Sequence, residues 1–270
     1  MSLVRLGFVA RGLPIAALCL LAACSSKPTT PEPVQVQSPV RIPLQPASPQ
    51  VRAQLHTDLA SGYYERGQMD VALNELSLAI AADPTYPQAY NVYGLVYATL
   101  GEDQKAEQNF GRALQLAPGD SEIRQNWGWY LCSHNRAQAS LAEFEAAVRN
   151  PLYKTPEIAL VNAGRCAQSL GDTRLAEQYY RRALGAQPGN ALASYGLAQL
   201  AYQARNYDQA RAWMRGVMLT NNPTPEGLLL GVCVERKLGD RQAELSYVSQ
   251  LRNRYPEAPE TKNLATEKCE

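Results

Sequence analysis

The chain has 270 residues, 46% of them hydrophobic and 19% charged, which are ordinary proportions for a folded protein and too apolar for wholesale disorder. Its 26 Lys and Arg stand against 25 Asp and Glu, so the basic excess that grips nucleic acid is missing. The only histidines, His56 and His134, lie far apart and argue against a His-rich metal site or paired general bases.

Arg5 and Arg11 precede a short apolar run, Leu13 to Ala23, broken only by Pro14. As a helix this run reaches about 16 Å, whereas a bilayer span takes roughly 20 residues. Residues 1–23 therefore read as a cleaved signal peptide. The segment ends Leu21-Ala22-Ala23-Cys24, which resembles the bacterial lipobox. That resemblance implies acylation of Cys24; the alternative is an ordinary signal cleavage site with a cysteine beside it. Acyl chains on Cys24 would exceed the two-signal threshold for stable anchoring. Ser25 in place of Asp resembles the pattern sorted to the outer membrane, so the expected location is the periplasmic face of that membrane. Residues 24–52 read as a tether, because seven prolines between Pro28 and Pro49 leave no room for a helix or strand. Wholly extended, the tether would reach on the order of 80 Å.

From Ala53 a 34-residue period runs almost to the end, with units over 53–86, 87–120, 121–156, 157–190, 191–224 and 225–258 and a cap over 259–270. The second unit is the clearest: Tyr90, Gly94, Tyr97, Gly101, Ala106, Phe110, Ala113 and Pro118. The third carries Trp127-Gly128, Phe144 and Ala147; the fourth Gly164, Gly171, Ala176, Tyr180, Ala183 and Pro188. The fifth keeps Ala198, Ala210 and Met214, and the sixth is degenerate, keeping Leu238-Gly239 and Pro256. The chain resembles the tetratricopeptide repeat family over about 200 residues. Small residues let paired helices approach, a large residue fills the hole beside them, and the closing Pro ends the second helix. The expected fold is an all-α solenoid of six helix-turn-helix units, residues 53–270, with a C-terminal capping helix over Glu260 to Lys268.

With Cys19 removed and Cys24 acylated, Cys132, Cys166, Cys233 and Cys269 remain. Cys132 and Cys166 fall on the first helices of adjacent units, Cys233 on the first helix of the sixth unit, and Cys269 on the expected terminal helix. Helices two units apart lie roughly 20 Å from each other, while a disulfide needs Cα atoms within about 7 Å. Cys132–Cys166 and Cys233–Cys269 are then the two feasible bridges, with four buried free thiols as the alternative. The sequence carries no P-loop, dinucleotide fingerprint, HExxH or GxSxG motif and no CxxC, so no catalytic residue, metal, cofactor or small-molecule substrate is expected.

In tetratricopeptide proteins the first helix of each unit lines a concave groove, and the resemblance carries this over to Asn91, Val92 and Leu95, to Gln125, Asn126 and Trp129, to Val161, Asn162 and Arg165, and to Tyr195 and Tyr202. Asn126 and Asn162 share one register position, from which two amides either hold an extended backbone or merely solvate the groove. Trp129 is either a binding anchor or core filler. The lipobox, the Pro-rich tether, six units, and the stretch Asn126-Trp127-Gly128-Trp129-Tyr130-Leu131-Cys132 with Cys166 one unit later resemble the type IV pilus biogenesis lipoproteins (PilW/PilF). The resemblance implies a pilotin that binds secretin subunits and promotes their multimerisation at the outer membrane. A periplasmic scaffold for cell-wall synthases or outer-membrane barrel assembly would use the same repeats and anchor.

Overall fold

The computed structural model describes residues 47–262, 264 and 269. Among them the chain is helical throughout, with no strand. Six antiparallel pairs follow in order: α1 (Pro49–Glu65) with α2 (Met69–Ala82), α3 (Pro87–Thr99) with α4 (Asp103–Leu116), α5 (Ser121–Ser133) with α6 (Ala137–Val148), α7 (Pro156–Ser169) with α8 (Thr173–Ala186), α9 (Ala191–Gln203) with α10 (Tyr207–Val217), and α11 (Pro225–Leu238) with α12 (Arg241–Arg254). One further turn, α13 (Pro259–Lys262), packs on α11 and α12.

Local chemistry explains the boundaries. Proline occupies the first turn of α1, α3, α7 and α11, where its missing N–H costs nothing. Asp120, Asp172, Asn190, Asn206, Thr224 and Asp240 cap helices by accepting backbone N–H groups. Inside each pair the connection is one repeated device. The N–H groups of Gln68, Glu102, Arg136, Asp172, Asn206 and Asp240 donate to carbonyls five residues back, at 2.8–3.0 Å. This closure needs a left-handed residue just before it. Gly67, Gly101, Gly171 and Gly239 supply it at φ +73 to +77°, while Asn135 and Arg205 adopt φ of 58° and 59° in the third and fifth pairs.

The core repeats as well. The ring of Phe110 lies on Gly94, Phe144 on Gly128 and Tyr180 on Gly164, the eighth and twenty-fourth residues of their units. The sixth unit preserves the same stacking as Gly231 under Tyr247, one residue earlier in its frame. Its degeneracy is thus a shift of phase and not a loss of packing. Tyr180 is gripped twice, because Gly196 of the next unit also lies against its ring. Fully buried alanines at 60, 72, 79, 89, 106, 113, 147, 159, 176, 183, 198 and 210 let the backbones close around these rings.

Two expectations need correction, and a third is described only in part. The first helix starts at Pro49, four residues before the expected unit start at 53, because Ser48 accepts the N–H of Val51 and Pro49 takes the N1 position. Of the expected cap, one helical turn, Pro259–Lys262, falls among the described residues, and most of the charged residues beyond it lie outside them. Cys269 is not helical; its φ is 49°. Residues 1–46, and with them the signal peptide, Cys24 and most of the tether, lie outside the described residues.

The last pair is held partly by buried charge. Glu244 is 4% exposed and accepts from Arg236 (3.0 Å) and Arg241 (2.8 Å), while Glu235 is equally buried against Arg211. Burial pushes the Glu244 carboxyl up, but the two guanidinium groups outweigh it and hold it below the ordinary carboxylate range. A depressed native pKa adds stability above the unfolded value and loses it as pH falls through the native one. Glu244→Gln should therefore lower stability at neutral pH by about 1–3 kcal/mol. The gap to the parent chain should narrow below pH 4 in denaturant titrations. A gap independent of pH would assign the loss to packing alone.

Candidate interaction surface

Consecutive first helices touch one another along the stack, α1 to α3, α5, α7, α9 and α11, whereas among the described residues the second helices of neighbouring units do not. The odd-numbered helices therefore crowd on the inner side of the solenoid, and their outward positions form its concave face. That face is stapled once in the middle. Cys132 on α5 and Cys166 on α7 are disulfide-linked with a Cα–Cα separation of 5.8 Å, so the two central first helices are covalently joined.

The sequence-derived groove residues divide on this face. Asn91 is 2% exposed, and its side-chain oxygen accepts a hydrogen bond from Asn126 Nδ2 at 3.2 Å. It belongs to the floor and fixes the Asn126 amide; it does not present itself to a partner. Leu95 is half-buried against Phe110 and Tyr130, also as floor. Asn126 and Asn162 are half-buried, and Arg165 is exposed. Trp129 is 38% exposed, large for a tryptophan. Its neighbour Trp127 instead packs inward, with ring centroids 5.5 Å from Phe110 and 5.3 Å from Tyr130 and the Arg136 guanidinium 5.5 Å above it. Two residues along a helix turn through roughly 200°, which sends the two indoles to opposite sides. The half-buried amides Asn126 and Asn162 and the exposed Trp129 and Arg165 thus lie on the two helices joined by the disulfide.

Further along the same face are residues that the groove positions of the sixth unit would have pointed to. A cavity of about 530 Å3 between α9, α11 and the C-terminal tail is lined by Tyr195, Gln199, Tyr202, Glu226, Leu229 and Leu230, among others. A second, of about 230 Å3, continues it past Tyr195 to Arg165 and Leu192. Cys233 and Cys269, disulfide-linked with Cα atoms 5.3 Å apart, close the far end, where the Tyr202 hydroxyl donates to the Cys269 carbonyl at 2.6 Å. Burial first, then the negative charge of Glu226, raises the Tyr195 phenol above its ordinary value, so it stays a neutral donor at physiological pH.

Both histidines are engaged elsewhere, His56 with Glu75 at 2.7 Å and His134 with Asp103 at 2.9 Å. Among the described residues no three His, Cys, Asp or Glu side chains gather as metal ligands, and no helix is long and apolar enough to cross a membrane. What the inner face offers is amides, an exposed indole, tyrosines and a few charges, which is equipment for holding another polypeptide.

Comparison with known proteins points the same way. Models of the tetratricopeptide repeat match residues 61–101, 87–120 and 167–230. The chain is similar to the type IV pilus assembly protein PilF of Pseudomonas aeruginosa, 24% identical over 213 residues that cover 79% of this chain and 84% of that protein. It is similar in structure to PilW, described as a widely conserved type IV pilus biogenesis factor, with 32% identity, a TM-score of 0.70, and coverage of 79% of this chain and 98% of that one. The solved Pseudomonas aeruginosa PilF shares the fold, at 23% identity and a TM-score of 0.70 over 82% of this chain and 99% of that chain.

Proposed function

Because the chain belongs to the PilF/PilW family of tetratricopeptide proteins of type IV pilus biogenesis, we propose that it is a pilotin. In this role it is held to the periplasmic face of the outer membrane through acylated Cys24, binds secretin subunits and promotes their multimerisation. The observation that carries the reading is the exposed Trp129, flanked by the Asn126 and Asn162 amides on two helices locked together by Cys132–Cys166. A rigid aromatic anchor beside adaptable polar groups is what a protein-binding surface concentrates at its centre. Anchor and tether do the rest: a solenoid held at the membrane on a flexible reach of up to about 80 Å meets an unassembled subunit at high effective concentration.

The test is complementation of a deletion strain. Deletion should abolish surface pili and secretin multimers while monomers persist, and the parent gene should restore both. Cys24→Ala should fail to restore the outer-membrane pool. Trp129→Ala should weaken capture of secretin by about 1–2 kcal/mol with an unchanged melting curve. Normal secretin multimers in the deletion strain would overturn the pilotin assignment in favour of a cell-wall or barrel-assembly scaffold.

A further inference from the structure

The C-terminal third of the inner face differs from the centre in carrying separated charges of opposite sign. Glu226, at the start of α11, and Glu260, on α13, both border the larger cavity, and neither forms a salt bridge among the described residues. Arg165, on α7, borders the adjoining smaller cavity, which Glu226 also lines, and likewise forms no salt bridge among the described residues. Tyr195 lines both cavities, and its phenol responds to all three groups: Glu226 and Glu260 push its pKa up and Arg165 pulls it down. The larger cavity also carries Tyr195, Tyr202, Leu229 and Leu230, together with the amides of Gln199 and Gln203.

We infer that this region is a docking cleft for an extended polypeptide segment bearing a lysine or arginine at one end, an apolar residue in the middle and an acidic residue at the other. This rests on the reading above that the inner face takes a protein partner, and it names the chemistry of the segment. The basic side chain lays its aliphatic stem on Leu229 and Leu230 and its head group by Glu226 and Glu260, with the ring of Tyr195 or Tyr202 beside it. The apolar residue covers Tyr195. The acidic residue reaches Arg165. Arg165 and Glu226 line the same smaller cavity and Glu260 borders the larger one beyond it, so a short extended segment, rising about 3.3 Å per residue, can run past all three. Gln199 supplies a backbone contact: its side-chain oxygen already accepts from Gln168 Nε2 at 3.1 Å, which leaves its amide N–H groups for a carbonyl of the segment. The Cys233–Cys269 bridge and the Tyr202–Cys269 hydrogen bond wall off the end, so the segment stops there.

The experiment titrates the full mature chain with fluorescein-labelled, end-blocked peptides: Lys-Ser-Leu-Ser-Leu-Asp, the same residues in reverse order, and the neutral Gln-Ser-Leu-Ser-Leu-Asn in both orders. One charged order should bind at least tenfold tighter than its neutral counterpart at low salt. Glu226→Gln/Glu260→Gln and Arg165→Gln, all at sites accessible to solvent, should each erase most of that preference while leaving the melting curve unchanged. The inference is overturned if neither charged peptide binds, if charged and neutral peptides bind alike, or if the variants keep the preference. The pilotin assignment is judged separately, on secretin multimers in the deletion strain, so either can fail while the other stands.

Discussion

Adding one methyl group at Gly164 should destabilise this protein by about 2–3 kcal/mol, whereas the same change at Gly111 should stabilise it by up to about 1 kcal/mol. Both glycines are helical, and helix propensity alone favours alanine at either site. At Gly164 a Cβ would stand 2.5 Å from Cε1 of Tyr180. The ring cannot step aside, because Tyr180 is 1% exposed and Gly196 of the following unit also bears on it. Its hydroxyl also donates to Gln168 at 3.0 Å, which pins the end of the ring. At Gly111, within α4, nothing lies within 4 Å of a Cβ, so only the backbone-entropy benefit remains. For a domain of this size the two variants should shift the melting midpoint in opposite directions, downward by about 5–10 °C and upward by a few degrees. Equal shifts in calorimetry would mean that the Gly–aromatic contact is not what sets the spacing of units four and five.

Removing the central bridge, as Cys132→Ala/Cys166→Ala, should cost about 3–4 kcal/mol, the loop-closure value for a separation of 34 residues. Both ends sit on long, packed helices, so the linkage constrains the unfolded chain across a whole repeat. Loss should also loosen the α5–α7 seam that carries Asn126, Trp129 and Asn162, visible as faster amide exchange there. The terminal pair makes an internal control. Cys233–Cys269 closes a similar separation of 36 residues, but Cys269 belongs to a tail beyond a one-turn helix. Cys269 itself is not helical and lies outside the six helix pairs, so Cys233→Ala/Cys269→Ala should lower the global midpoint far less. Melting with and without reductant, on the parent chain and both double variants, separates the two. A parent chain whose midpoint ignores reductant would show that the central bridge contributes nothing.

The architecture was legible because it is periodic. A 34-residue recurrence of small, aromatic and proline residues reports helix pairing directly, since each unit must present the same face to its neighbour. The cysteine partners were narrowed by the same spacing, because only helices one unit apart come within reach of a bridge. The start of the first helix was missed for a local reason: proline reads as a breaker, yet Pro49 behind the Ser48 cap is a helix starter.

The binding surface was only half legible. Register places Asn91 and Asn126 one position apart on successive units, and both are expected from the sequence to line the groove. Which one meets solvent depends on how α3 and α5 lean together, and the structure buries Asn91 beneath Asn126. The same holds for the double grip on Tyr180, which involves Gly196 at the sixth position of its unit and so falls outside the repeat pattern. The charges around Tyr195 come from α7, α11 and α13 and meet only through the packing of these helices beside α9. The sequence by itself determined the helices, their pairing and the faces they bury, because these follow from short-range spacing and the geometry of a single helix. Which inward residues become floor, which become contacts, and where opposite charges face each other was decided by the tertiary structure alone, because exposure and charge separation depend on neighbours one or two units away.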